Sequence, residues 1–316
     1  MNPDETHVAQ IFFPHTEKRT QDVLAAGNRF AYYTTAEVAT KLIRDQKIWM
    51  RSVTTMNDYM EVEHGSQCVS NAWKTAPGIA FKGAIDLCFP GLGKELEDDF
   101  NGWHPHIRRN TFITCVSEHL AAEDEIGRLS MWRAYGGSSG VALVINGAVM
   151  FGESDALGAY ASPVAYMSSP QFAEYFSTVT ANIKREVDYV QSLGREKVKD
   201  LVFTLLRFAV LCTKHPGFHE EREWRVIASP LMYSSPLLHN EIEIIHGTPQ
   251  AVLKIDLQNH PEHDLVGLAL PELLNRIIIG PCQFPEVLVT AFTRLLENAG
   301  VHDAAAKVFV SDIPLR

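Results

Sequence analysis

The sequence predicts an α+β chain, with a mixed, mainly antiparallel sheet core and flanking helices. Three observations carry that prediction. Strand-like runs and helical stripes are interleaved without the regular alternation that a doubly wound parallel sheet requires. No Gly-x-Gly-x-x-Gly and no Gly-x-x-x-x-Gly-Lys-Ser/Thr occurs, so a Rossmann crossover and a P-loop both lack their signatures. Hydrophobic residues make up 46% and charged residues 21%, the balance of an ordinary globular chain.

With 316 residues the chain is long enough for one large domain or two modest ones. We expect residues 1–29 to be an N-terminal extension. Residues 30–316 then form a single α+β domain with a helical insertion near 160–215. Phe30 to Tyr33 reads as a short aromatic strand. Thr34-x-x-Glu37 has the form of a capping box, and Val38, Leu42 and Ile43 give the following helix one apolar face. Ile48 to Ser52 is a second strand, Thr54 to Asp58 a polar turn, and a helix opens near Tyr59. Pro77 to Pro105 is rich in Gly, Pro and acidic residues and predicts an insertion or irregular helical stretch. Strands are expected at Thr111–Ser117 and Val141–Ile145, with a loop over Ala121–Leu129 between them. The clearest helix runs from Pro170 to Leu193. Proline fits its first position, Gly194 ends it, and Phe172, Phe176, Val179, Ile183, Val187 and Val190 form one stripe. A helix over 196–212, strands at 224–228, 252–256 and 277–279, a helix over 285–299 and a strand at 307–310 complete the pattern.

Charge and cysteines bound the function. Lys plus Arg is 28 and Asp plus Glu is 38, so the net charge is −10. Such a chain gains no general counterion-release attraction to nucleic acid. No apolar run reaches a membrane-spanning length of about 20 residues, and the N-terminus lacks the form of a signal peptide. Five scattered cysteines with no Cys-x-x-Cys fit a reducing cytoplasm and supply no zinc framework. His104-Pro105-His106, His215-x-x-x-His219 and His260-x-x-His263 lack a companion that would complete a metal site, and no metal is expected.

Three constellations can carry chemistry. The first joins Tyr32, Tyr33 and Thr34 with Asn57, Asp58 and Glu61: rings stack on a flat ligand while carboxylates accept hydroxyl protons. Its plainer explanation makes the tyrosines core and Asn57 and Asp58 helix caps. The second is Ser130 to Gly137, where Trp132, Arg133 and Tyr135 can hold a base or a phosphate, or simply pack a turn of helix. The third is His219 to Ile227. In a strand, Glu221, Glu223 and Arg225 share one face, and Arg222, Trp224 and Val226 the other. Buried, that stack of charges is costly unless paired or bound to something; exposed, it is a solvated edge.

Several of these residues fall in blocks that resemble a known family. Phe30-x-Tyr32-Tyr33-Thr34-Thr35, Ile48-Trp49-x-x-Ser52 and Met56-Asn57-Asp58-x-x-Glu61 look like the opening of the bacterial family called domain of unknown function 2971. The similarity continues in Cys115-Val116-Ser117-Glu118 and Leu129-Ser130-Met131-Trp132-Arg133-x-Tyr135-Gly136. It resumes in Lys214, Phe218-x-Glu220-Glu221-Arg222-Glu223-Trp224-Arg225 and Ile277-Ile278-Ile279-Gly280-Pro281. The layout also resembles, more weakly, ADP-ribosyltransferases. That resemblance implies an opening strand on the nicotinamide side of NAD, a stacking aromatic, and a catalytic Glu on a late strand, which Glu223 matches. Tyr32 stands where such openings commonly carry His or Arg, and its hydroxyl can still donate a hydrogen bond.

The expected function is therefore that of an NAD-dependent ADP-ribosyltransferase-like enzyme or NAD glycohydrolase, in a bacterial toxin or phage-defence setting. Glu223 and Tyr32 are the candidate catalytic groups. Tyr33, Thr34, Trp49, Ser52, Asn57, Asp58, Glu61, Trp132, Arg133, Tyr135 and Arg225 are the candidates for holding NAD, which enters as substrate. The expected partners are this nucleotide, a protein or nucleic-acid acceptor, and a regulatory protein; no membrane contact is expected. Two alternatives stay open: a metal-dependent nuclease or phosphoesterase using Asp58, Glu61, Glu221 and Glu223, and a ligand-sensing or partner-binding module without catalysis.

Overall fold

The structure is a computed structural model and describes residues 3–55, 59–152, 154–245 and 247–314. In chain order its elements begin with helices α1 (Pro3–Phe12) and α2 (Pro14–Ala26), strand β1 (Arg29–Thr35), α3 (Ala36–Asp45) and β2 (Lys47–Ser52). Three helices follow: α4 (Tyr59–Trp73), α5 (Ala76–Cys88) and α6 (Leu92–Arg109). Then come β3 (Phe112–His119), α7 (Leu129–Tyr135), β4 (Ser139–Ile145), β5 (Ala159–Pro163) and β6 (Ala165–Tyr166). Helices α8 (Ser169–Arg185), α9 (Val187–Ser192) and α10 (Arg195–Cys212) lead to β7 (Thr213–Lys214) and β8 (Glu223–Ala228). The chain closes with β9 (Leu238–Ile245), β10 (Thr248–Asp256), α11 (Leu270–Leu273), β11 (Leu274–Cys282), α12 (Pro285–Asn298) and β12 (Val308–Val310). This is the predicted α+β class, with a mainly antiparallel sheet and flanking helices.

The chain divides into two compact units. One gathers residues 1–22, 52–111 and 162–219; the other gathers residues 23–51, 112–161 and 220–316. The first is helical. Its rings pack tightly, with Phe81 stacked on Phe176 at 4.4 Å between centroids and Trp73 tilted against both. Where α4 crosses α10, a Cβ at Gly65 would fall 2.2 Å from the Val210 carbonyl oxygen, so only glycine permits this approach.

The stretch read as irregular, 77–105, lies instead in two regular helices. Pro77 sits at the start of α5, where its missing N–H costs nothing, and Leu92, Leu96, Phe100 and Ile107 form the buried stripe of α6. The long helix expected over 170–193 is interrupted at Glu186, whose φ of −112° and ψ of 28° separate α8 from α9. Its stripe is nevertheless buried at Phe172, Phe176, Val179, Ile183 and Val190. Residues before 29, expected as an extension, carry α1 and all of α2.

The second unit is the sheet. Its strands run in the order β12-β11-β4-β1-β3-β2-β10-β9, and β8 joins β3 and β5 off that path. Neighbours are antiparallel at β1–β3, β1–β4, β4–β11, β3–β8, β2–β10 and β9–β10, and parallel at β11–β12. Ile277 and Ile279 join Leu143, Val141, Phe292 and Leu296 in the main core; burying each such side chain is worth about 1.5–3 kcal/mol. Helix α3 is capped by Thr35 rather than Thr34, because the Thr35 side chain accepts the Val38 N–H.

One feature of this topology positions the site. Strand β8 occupies one edge of β3 from Phe112 to Ser117. β1 and β2 must therefore share the other edge, and β1 takes the His119 to Ser117 end. Beyond Ala31, β1 leaves β3 and stays paired to β4 alone, through Thr35. The sheet forks there, with the β1-β4-β11-β12 branch on one side and the β2-β10-β9 branch on the other.

Candidate functional site

At the base of the fork, strand register sets Ala31, Ser117 and Glu223 in one row across β1, β3 and β8. Directly paired residues share a face, and alternation adds Tyr33, Cys115 and Arg225 to it. The opposite face is apolar: Phe30, Val116 and Trp224 pack together there, and the Trp224 indole N–H donates to Glu118 Oε1 at 2.8 Å. The face of Glu223 is thus polar on β3 and β8, while on β1 and β4 its Ala31 and Tyr33 pack with Met131, Trp132, Ala142, Val144 and Ile278.

Charges crowd the polar face, and each is met. Glu223 and Arg225 are buried, with Arg225 Nε donating to Glu223 Oε1 at 2.7 Å and Nη2 to Oε2 at 3.4 Å. Arg128 is the hub beside them. Its Nε and Nη2 hold Glu123 at 2.9 and 3.0 Å. Its Nη1 donates to Ser117 Oγ at 2.7 Å and to the Glu220 and Glu221 carbonyls at 2.8 and 3.2 Å, and its Nη2 also donates to the Glu118 carbonyl at 2.6 Å. Arg222 also pairs with Glu123. Burial pushes the Glu123 carboxyl up, but Arg128, the Leu120 N–H and Arg222 outweigh it and hold it below its usual range.

A second network adjoins the first. Asp124 accepts from Arg29 at 2.5 Å and His119 Nε2 at 2.9 Å, and pairs with Arg276 at 3.2 Å. These partners overcome the effect of burial and hold the Asp124 carboxyl down. His119 is itself held below its usual range by burial, against the pull of Asp124 and Glu123.

Tyr33 reaches into this polar centre. Its ring meets Trp132 edge-on at 4.8 Å, and burial pushes its hydroxyl up to about 12 despite the nearby charge of Arg128. Tyr32 points the other way, packing with Phe30, Val116 and Trp224, and burial pushes its hydroxyl up as well. The two residues proposed as catalytic from sequence, Tyr32 and Glu223, therefore lie on opposite faces of the sheet. Adjacent strand residues alternate, and Tyr33 is the one that shares a face with Glu223.

The third constellation also differs from its expected form. Arg222 has a φ of +44°, a left-handed conformation uncommon outside glycine, so strand alternation begins only at Glu223. Glu221 precedes the strand and accepts the Tyr135 hydroxyl at 3.3 Å. The shared face of Glu223 and Arg225 stands; Glu221 does not extend it.

Trp132, a candidate for stacking a base, is buried with its indole N–H given to the Ile126 carbonyl at 2.9 Å. A Cβ at Gly280 would fall 2.7 Å from its ring, and one at Gly127 2.5 Å. The indole is wedged against both glycine backbones, so neither position has room for a side chain without a shift of the ring. Arg133 and Tyr135 are exposed on α7. Thr34 is buried in β1. Trp49 lies between cations, with Lys254 5.0 Å and Lys41 5.8 Å from its ring. Ser52 belongs to the helical unit, where its hydroxyl bonds Thr54 at 2.9 Å. Asn57 and Asp58 lie outside the described residues, as does the side chain of Glu61.

Tyr33, Glu223 and Arg225 are thus brought together, with Trp132 and Tyr135 at the margin. Sequence reasoning missed Arg128, Glu123 and Ser117. Ser117 falls inside a block that was noticed, and Arg128 directly precedes another; that adjacency was the available signal.

Fold and site together define an α+β protein with a forked antiparallel sheet and a buried polar centre at the fork. Residues 131–226 match the model of a family described as Protein of unknown function (DUF2971), which bears out the family resemblance over that segment. The match includes Trp132, Arg133, Tyr135, Glu223 and Arg225; the opening blocks around Tyr32, Trp49 and Asp58 lie outside it. No curated protein and no solved structure matches the chain. Among the described residues, no helix is long and apolar enough to cross a membrane, and no group of three or more His, Cys, Asp or Glu is arranged to hold a metal ion.

Proposed function

We propose that this chain is an ADP-ribosyltransferase-like enzyme that cleaves the nicotinamide–ribose bond of NAD at Glu223. The supporting observation is the convergence of Tyr33, Arg128, Glu223 and Arg225 on one face at the fork of the sheet. Cleaving that bond sends the bonding electron pair to nicotinamide and builds positive charge on the ribosyl carbon. A carboxylate fixed before the reaction starts is suited to steady that charge. The acceptor, or water, then adds its oxygen or nitrogen and loses a proton. Arg225 keeps Glu223 oriented, and the Tyr33 hydroxyl stays protonated as a hydrogen-bond donor. Arg133, exposed on α7, or Arg225 meets the pyrophosphate in this reading. The acceptor is a protein, a nucleic acid or water. We place the activity in a reducing cytoplasm, in keeping with five scattered cysteines and no Cys-x-x-Cys, and in a toxin or phage-defence role under control of a partner protein.

A second reading has its own support: both Glu223 oxygens face Arg225, which suits a module that binds a nucleotide without turnover. Nicotinamide release from NAD, measured beside Glu223→Gln, separates the two. Release by wild type alone supports the enzyme; binding without release supports the module.

A further inference from the structure

Strand β9 ends its branch of the sheet, and among the described residues no strand pairs with its outer edge. β2 pairs with β10 only from Val252 to Asp256, whereas β9 pairs with β10 from Thr248 to Ile255. The Ile242–Ile245 end of β9 and its partner residues therefore extend past β2 as a two-stranded ribbon. Such ribbons are marginal in water without a further strand.

Proteins ordinarily guard an open edge with lysine, proline or a bulge. The β9 sequence, Leu-His-Asn-Glu-Ile-Glu-Ile-Ile, carries neither residue, and its register on β10 is unbroken from Leu238 to Ile245. Ile242 and Ile244 are 69% and 68% exposed on one side of this strand. On the other side, Lys254 engages Glu241 at 2.7 Å and Glu243 at 2.5 Å, and Lys47 lies 3.6 Å from Glu241. The acidic charges that would repel an incoming strand are thus offset within the chain.

We propose that β9 is a dimerisation strand, pairing antiparallel with β9 of a second copy about a two-fold axis near Ile242. An open backbone edge requires an extended partner, because only a strand satisfies its row of N–H and C=O groups. A second copy suits the side chains as well. Antiparallel pairing about Ile242 sets that residue against its counterpart and Ile244 against Asn240 of the other copy. Glu241 then faces Glu243 across the axis, a like-charge contact offset by Lys254 of each copy, which pairs with both carboxylates of its own chain. The result is one continuous sheet through both molecules, and it stands independently of the NAD reading.

The test is molar mass by light scattering across a wide concentration range, for wild type, Ile242→Lys and Ile244→Lys. Both isoleucines are exposed, so the monomer fold is unaffected. Wild type is expected as a dimer, and Ile242→Lys should weaken dimerisation by roughly a hundredfold or more, since it sets like charges face to face. Amide hydrogen exchange of unaltered wild type reads the same edge without a substitution, and β9 amides should exchange more slowly as concentration rises. Wild type that stays monomeric throughout overturns the proposal, as does a dimer indifferent to both substitutions with β9 exchange independent of concentration.

Discussion

Glu223 and Arg225 stand two residues apart on one strand, both buried, with Arg225 Nε 2.7 Å from Glu223 Oε1. Two places along a strand return a side chain to the same face, so local geometry alone brings this pair together. Burying the two charges is worthwhile only while both are present. Arg225→Ala should destabilise the protein by about 3–5 kcal/mol, because the buried Glu223 carboxylate loses its guanidinium partner. Replacing both residues by leucine should recover much of that loss. Urea denaturation of the single and double variants checks this; a single variant as stable as wild type would show that the pair contributes nothing.

Arg128 joins β3, the turn at Glu123 and the residues leading into β8. Lysine keeps the charge but lacks the planar fork of donors. Arg128→Lys should therefore lose at least about 2 kcal/mol, reflecting charged hydrogen bonds worth about 1.5–3 kcal/mol each. Amide exchange should quicken at Ser117, Glu118 and Arg222 more than in the helical unit. Uniform exchange rates across both units after the substitution would contradict this role.

Gly280 meets the Trp132 indole, where an added Cβ would sit 2.7 Å from Cε3. Gly280→Ala should cost about 1–3 kcal/mol through overpacking. Adding Trp132→Phe, which removes one ring, should restore part of the loss. Denaturation midpoints of the three variants test the contact, and additive losses in the double variant would place the strain elsewhere.

Acid should destabilise the fold in two windows. His15, His104 and His119 are held below their usual range chiefly by burial, so the unfolded chain takes up protons near pH 6.5 while the fold resists. Stability therefore falls as the pH drops below about 6.5. Glu123 and Asp124 are held down by their arginines, so their contribution is complete above about pH 4.5 and is lost as the pH falls through their folded values. The urea midpoint should be lower at about pH 5.5 than at about pH 8, with a smaller drop in His119→Gln. Equal midpoints at the two pH values would contradict the assignment.

Much of this fold is legible along the chain. The stripe of α8, the apolar runs of β4 and β11, and the proline and glycine limits of the helices are local signals with local causes. β9 alternates Glu241, Ile242, Glu243 and Ile244 as a strand does, but its two carboxylates read as solvated chain until Lys254 of β10 is beside them. α5 and α6 were obscured by Pro77, Gly91 and Pro105, residues that usually mark irregular chain but here occupy helix ends or a tolerated interior position. In the site, Glu223 and Arg225 were readable because alternation is local. Arg128 was not, since its acceptors are spread from Ser117 to Glu221 and only the fold collects them. Which of the adjacent Tyr32 and Tyr33 faces Glu223 was not legible for a related reason: it depends on the register of three strands.

The most direct test is to incubate the purified protein with NAD and follow free nicotinamide, with Glu223→Gln in parallel. The account predicts release by wild type and a loss of roughly a hundredfold or more in the variant, the scale of removing one electrostatic stabiliser of a transition state. Release at the same rate from Glu223→Gln would contradict it.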